Sequence, residues 1–592
     1  MKKSFYEART INNFKELLNS SARLYGEKNA YKLKGKDNAG KPIYQDITYT
    51  QFKNHVDSLG TAFVKHGLSG KKISVISDNC YDWAVSYFAV TNGTGIVVPL
   101  DRALPEIEIA NLIKRAGVSA VVFSEKYRDI MHKIAKENDT LELLVEMDFE
   151  PGQSANSAPA DLVKKEKDAN GHYHTTGFTN MLSIGSAALK SGDRSFVNAQ
   201  IDSDALGIIL FTSGTTKMSK GVMLSQKNIA SSVMAGSQIM KVYTDDVFLS
   251  FLPLHHIFEC MGGFLMPLFS GACIVFCEGV RHIANNMKEY KISCMVCVPL
   301  LFEAMHKKMS AKIAESGKAD KLKKAIKVNN FLKKFLRIDL SRKLFKNIHD
   351  GLGGNVRLMI SGGAPIDPMV CQSFQDLGVR LSEGYGLTET AVISVNNDRY
   401  VRNGSVGIPL PNMQVEIDNP DTDGIGEIKV KSSSILLGYY EMEEETKEVL
   451  VDGWFYTGDL GRFDKDGFLY ITGRKKDMIV MKSGKKVFPE EIEILLNKSD
   501  YVAESFVYGK PMDGDHRICT KIVYNKEVIT EKFGEAYKED QVEQLIRDVV
   551  KDVNSQMPSY KVIKEISVTD EELIKTTTLK IKRKEEMKRI SQ

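Results

Sequence analysis

Between residues 71 and 125 the chain alternates short β-branched runs with helix-patterned ones: KKISVISDN, DWAVSYFAVTNG, TGIVVPL, EIEIANLIKRAG and VSAVVFSE. That rhythm leaves few folds open. Strands joined through a helix lie parallel, and a parallel sheet needs helices over both faces. The helical run NNFKELLNSSARLYG precedes the unit. A second parallel-sheet region is expected from about residue 205 to 400, interrupted by a basic helical insertion at 306–348. A Gly-rich, strand-prone stretch from Gly404 to Tyr470 follows, and after GRKKD comes a Lys/Glu-rich tail the size of one small domain. Residues 151–176 are polar and read as a surface loop.

A chain of 592 residues exceeds one hydrophobic core. Eighty basic and 76 acidic residues nearly balance, so nothing demands nucleic acid. Eight scattered cysteines suit a reducing cytoplasm, and the N-terminus has lysines without the apolar core of a signal peptide. The uncharged stretch Cys260–Cys277 approaches membrane-spanning length, but Pro267, Ser270 and Gly271 break it. Cys294 and Cys297 could suggest zinc with Cys273 and Cys277; three apart on a strand, they face opposite sides, which favours buried thiols.

The strongest chemical signal is LFTSGTTKMSKGVMLS, residues 210–225. An apolar strand empties into Thr212, Ser213, Gly214, Thr215 and Thr216, with Lys220 following. Small residues let backbone N–H groups approach phosphate oxygens, hydroxyls add donors, and lysine adds charge. The Walker pattern fails, because Ser219 stands where glycine is needed and Gly221 where a hydroxyl must hold magnesium.

This loop resembles the phosphate loop of the adenylate-forming superfamily, usually T-S-G-T-T-G-x-P-K-G; Lys217 replaces the glycine and Ser219 the proline. FLPLHHIFE (251–259) is similar to the family's next motif, with His256 near the phosphates and acyl channel. ISGGAP (360–365) resembles the adenine-flanking turn of Gly362, Gly363 and Ala364. In SEGYGLTET (382–390), the resemblance assigns Glu383 and Gly384 to the nucleotide site, Tyr385 to adenine stacking, Thr388 to the α-phosphate and Glu389, with Thr212, to Mg²⁺. GWFYTGDLG (453–461) puts Asp459 on the ribose hydroxyls. FLYITGRKKDMI (468–479) gives Arg474 a nucleotide contact and Lys476 the hinge position. SGKKVFPEEIE (483–493) resembles the loop lining the pantetheine tunnel at Gly484. TTTLKIKR (576–583) aligns Lys580 with the catalytic lysine, with Lys575, Lys582 and Lys584 close by.

The resemblance implies an α/β chain: a large N-terminal domain (1–473) of two parallel-sheet subdomains plus a β-barrel-like subdomain, a hinge (474–477), and a small mobile α+β C-terminal domain (478–592). It implies a ligase using ATP, Mg²⁺ and coenzyme A, in which a carboxylate attacks the α-phosphorus and the acyl group then passes to the CoA thiol. FLPLHHIFE lacks the aspartate that amino-acid-activating members use. The insertion, EGYGLTET and TLKIKR look most like the long-chain fatty acyl branch; Cys260 stands where some bacterial members carry a gate tryptophan. Transfer to an acyl carrier protein, or a non-catalytic adenylate- or lipid-binding scaffold, are the alternatives. A cytoplasmic location is expected. The insertion reads either as helices packed on the sheet or as an amphipathic surface in peripheral contact with a membrane.

Overall fold

In the computed structural model, which describes residues 4–37, 39–152, 175–212, 219–512 and 514–591, the runs at 71–125 form parallel strands Lys72–Ile76, Ile96–Pro99 and Ala120–Ser124. The helix Glu106–Ala116 between the last two shows why the local sequence folds so. Acidic residues occupy its first turn, Lys114 and Arg115 its last, and Gly117 closes it at φ 63°. Leu143–Met147 and Thr175–Gly177 extend this sheet on one side. On the other side Leu206–Thr212 lies parallel to Ile96–Pro99 and pairs antiparallel with Lys220–Ser225.

That last pairing corrects the division expected from the sequence. The strands flanking the Ser/Thr-rich loop belong to the first sheet, not the second. Conversely the N-terminal strands Asn29–Lys36 and Pro42–Thr48 join the second sheet beside Cys273–Phe276. Period-two patterning identifies a strand without naming its neighbour, so long-range exchanges of this kind leave no local trace. The second sheet has nine strands, with Val247–Ser250, Cys294–Cys297, Leu358–Ser361 and Arg380–Leu387 parallel at its centre.

The core between the two sheets is aromatic. Trp83 stacks on Tyr87 at 5.1 Å, and Phe264 meets Tyr87 and Phe88 edge-on at 5.9 and 5.5 Å. Phe264 comes from the uncharged 260–277 stretch, which folds into two short helical segments, turns at Gly271 (φ 81°) and enters the strand Cys273–Phe276. No helix among the described residues is long and apolar enough to cross a membrane.

The Gly-rich stretch forms the expected β-subdomain, a five-stranded antiparallel sheet that includes Trp454–Phe463 and Leu469–Arg474. The tail has its own α+β core. Val502–Met512 and Asp515–Tyr524 form a long antiparallel pair, Glu565–Thr569 adds in parallel, and the helices Pro489–Leu496 and Glu539–Ser555 bury Ile492 and Ile546 against them.

Candidate active site

Strand Arg380–Leu387 is parallel to Leu358–Ser361 as far as Glu383, then changes partner and pairs antiparallel with Ala391–Val395 from Gly384. The change of partner opens the sheet at Gly384, Tyr385 and Thr388, which line a cavity of about 210 Å³ together with Gly362, Gly363 and His256. Space there is tight. A Cβ on Gly386 would come within 2.0 Å of the Ala391 carbonyl oxygen, and one on Gly362 within 2.8 Å of the Phe258 ring. The rest of the wall is mainly apolar, with Val242, Phe248, Met261, Met266 and Ile360 among its members.

Asp459 and Arg474 are register partners across the antiparallel pair, so sheet geometry itself brings carboxylate and guanidinium together. Arg474 Nε donates to Oδ1 of Asp459 at 2.6 Å, and the Tyr385 hydroxyl donates to Oδ2 at 2.6 Å. Burial, then the Asp459 charge, raise the Tyr385 hydroxyl well above its ordinary range, so it remains a donor. A carboxylate offers roughly four lone-pair sites, which leaves acceptors here for a diol.

A second cluster ties the hairpin of Leu206–Thr212 and Lys220–Ser225 to Glu389. Thr212 and Lys220 face each other across the hairpin, and the strand Gly438–Tyr439 pairs with its second arm. Tyr439 therefore lies with its ring 4.4 Å from the Lys220 ammonium and its hydroxyl 2.9 Å from Oε1 of Glu389. Ser219, at the family's proline position, donates to Glu108 at 2.8 Å, and its carbonyl accepts from Arg115 at 2.7 Å. Ser213, Gly214, Thr215 and Thr216 lie outside the described residues, as does Lys217.

The tail delivers Lys580 to the same cavity, beside Thr578. A tight hairpin aims it. Thr576 donates its amide to the Lys580 carbonyl at 2.8 Å, and Leu579 donates to the Thr576 carbonyl at 2.9 Å. At the tip, Thr577 Oγ1 donates to Asp101 Oδ2 at 2.9 Å. Lys580 stays exposed in the open cleft, with protein walls around it; the desolvation they impose, then the Arg474 charge, lower its pKa. His256 is pushed down to about 3 by burial, with His255 and Lys580 adding to the effect, so it is a neutral ring at physiological pH. Burial raises the Asp101 carboxyl, but His255, 3.7 Å away, with the Ala103 amide and Thr577, outweighs it and holds Asp101 at about 2.

Other expected positions stand apart from the cavity. Glu383 is buried behind the Gly362–Gly363 turn, where its carboxyl accepts from the Ile366 amide and burial pushes it up to about 8. Ala364 lies on the exposed lip, and Gly484 turns at φ 76° in the open. Lys476 lies just past the sheet's last strand, its pKa lowered by burial and then by Arg474. Lys575 pairs with Glu504 and Glu572, and Lys582 with Glu585 at 3.2 Å. Cys260 is buried against the Tyr87 hydroxyl, away from the cavity wall.

The sequence reading missed Asp101, Tyr439 and Arg115. Asp101 follows the C-terminal end of a parallel strand, a position where α/β sheets place ligands, and that rule could have found it. Tyr439 owes its place to a two-residue strand with no pattern of its own.

Residues 19–440 match the family described as AMP-binding enzyme, and residues 476–592 match the AMP-binding enzyme C-terminal domain. Fatty acyl-CoA synthetase B of Dictyostelium discoideum is 28% identical over 547 residues, covering 86% of this chain and 76% of its own length. Long-chain-fatty-acid–CoA ligase 5 of Rattus norvegicus is 29% identical over 493 residues, 79% of this chain and 70% of that one. The ATP-bound structure of MatB from Rhodopseudomonas palustris has a TM-score of 0.69 at 25% identity, covering 97% of this chain and 98% of that one. The fold is also that of the anthranilate CoA ligase AuaEII in complex with anthranoyl-AMP (TM-score 0.73, 18% identity, 100% of this chain and 98% of that one). With two matched regions spanning the large unit and the tail, the chain belongs to the AMP-binding enzyme family, the adenylate-forming ligases.

Proposed function

We propose that the protein activates a long-chain fatty acid with ATP and transfers the acyl group to coenzyme A, releasing AMP and pyrophosphate. The cavity wall carries this reading. Among its described lining residues only Lys580 bears a full charge, and most of the others are apolar. Such a wall takes one carboxylate and an alkyl chain; a second carboxylate or an α-ammonium would lie there unpaired. The nearby Glu259 does not supply a partner, because burial pushes it up to about 8 and it already accepts from the Ser250 hydroxyl at 2.7 Å. Methionines 261 and 266 give the wall side chains that adapt to length.

In this reading Gly362, Gly363 and Tyr385 hold the adenine, and Asp459 with Arg474 holds the ribose. The acid's carboxylate attacks the α-phosphorus in line. Thr212, Lys220, Thr388 and Lys580 absorb the negative charge that builds there. His256, being neutral, places an uncharged ring beside Lys580 and leaves the substrate carboxylate to the ammonium. Glu389 and the Thr212 hydroxyl are oxygen donors suited to Mg²⁺, which keeps several waters and phosphate ligands of its own. The ion supplies charge neutralisation on the phosphates.

The domain boundaries of the proposal are 1–473, a pivot at 474–477, and 478–592. The present arrangement, with Lys580 in the cavity and Gly484 outside it, suits the adenylating step. Rotation about Lys476 then withdraws Lys580 and presents Gly484 to the CoA arm.

The test offers purified protein a series of saturated acids of rising length with ATP, Mg²⁺ and either CoA or an acyl carrier protein. Pyrophosphate release that rises to a long-chain optimum, with acyl-CoA as product, is expected. ADP as product, or a preference for dicarboxylic or amino acids, overturns the reading; acylated carrier protein replaces CoA as the acceptor.

A further inference from the structure

The insertion contains a helix that turns an apolar face outward. In Ala319–Leu336, Val328, Phe331 and Phe335 fall on one face at i, i+3 and i+7, yet they are 57, 58 and 62% exposed. The inward side is mixed: Leu322, Ala325, Ile326 and Leu332 are half-buried, and the anchoring contacts come from two asparagines. Asn329 is fully buried, donating to Ser341 Oγ and accepting from the Leu340 amide, both at 2.9 Å. Asn330 donates to Asp376 at 2.9 Å. The rings of Phe331 and Phe335 lie 4.7 Å apart, and Leu336, Ile338 and Leu344, on the stretch that follows, are exposed as well. The exposed face built on Val328, Phe331 and Phe335 has its apolar partner outside the molecule.

Charge identifies that partner. Residues 306–348 hold 14 Lys and Arg against three Asp and Glu, a surplus of eleven in a chain whose net charge is +4. Lys324 and Lys327 each lie one turn before an exposed apolar residue, and the Lys334 ammonium is 5.5 Å from the Phe335 ring. A second copy of the chain would bring an equal positive charge against this one. A nucleic acid would engage the lysines and leave the phenylalanines in water.

We propose that this face docks the protein on an anionic lipid bilayer. The phenylalanines enter the boundary between headgroups and acyl chains, and the lysines meet the lipid phosphates. The helix Pro299–Glu315, which leads into the insertion, starts directly after Val298, whose Cγ1 lies 3.9 Å from the Cβ position of Gly363 at the cavity. Docking there would keep the cavity near the membrane.

The test is co-sedimentation of the full chain with phosphatidylcholine vesicles, with and without phosphatidylglycerol, at rising salt and without substrates, so that its result is independent of the acid the enzyme takes. Binding to the anionic vesicles alone, weakening with salt, is expected. Phe331→Ser with Phe335→Ser should cut partitioning by about tenfold or more. Lys324→Glu with Lys327→Glu should remove the anionic preference, and both variants should keep the parent's thermal midpoint. Several results overturn the proposal: no binding to anionic vesicles, binding that survives the phenylalanine changes, a concentration-dependent dimer abolished by those changes, or DNA binding indifferent to them.

Discussion

Leu579 turns the hairpin that aims Lys580, and it does so at φ 59°, in the left-handed region. A β-carbon there costs about 1–2 kcal/mol. The cost is worse for a β-branched residue. Leu579→Gly should therefore keep pyrophosphate exchange near the parent rate, whereas Leu579→Ile should depress it several-fold. Equal rates would show that the turn does not hold the lysine. Lys580 itself sets a pH limb. Its charged form is the useful one, and its pKa lies below the ordinary 10.5, so the charge is lost earlier as pH rises. Adenylation should fall on the alkaline side before the usual lysine range. In Lys580→Arg, whose guanidinium stays charged, the residual rate should lack that limb. A limb that persists in the arginine variant belongs to another group.

At the level of elements, the alternation at 71–125 was legible because each strand and helix carries its own period and its own caps, as Gly117 illustrates. Asp459, Tyr385 and Glu389 stood out because each sits in a short segment that resembles a family motif. Partnership was not. Nothing local in LGIILFT shows that it lies beside Ile96–Pro99, and nothing in Gly438–Tyr439 shows that Tyr439 bridges Lys220 and Glu389. Asp101 was hidden the same way, because its partner Thr577 is 476 residues away. That contact holds the hairpin tip against the large unit, so losing it should cost only the step that needs Lys580 in place. Asp101→Ala should slow pyrophosphate exchange while supplied acyl-adenylate is still converted to acyl-CoA. Lys476→Pro, which fixes φ at the proposed pivot, should do the reverse. If both variants lose both steps equally, a single fixed pose replaces rotation.

For the molecule as a whole, the tail is tied to the large unit through polar contacts such as Lys486 with Asp421 at 2.9 Å and Lys307 with the Ser499 carbonyl at 3.3 Å. Contacts of this kind suit two bodies that part and meet again. The strand Leu469–Arg474 is where the tail hangs from the sheet, and its last residue shares the Asp459 carboxylate with Tyr385. AMP should therefore change the distance between fluorescent labels on the two bodies, and adenine alone should not. Identical energy transfer with both ligands would show the strand end and the pivot to be uncoupled. With coupling, the sugar of the nucleotide acts as a clutch: the ring that merely anchors the leaving product also decides when the small body is released to swing.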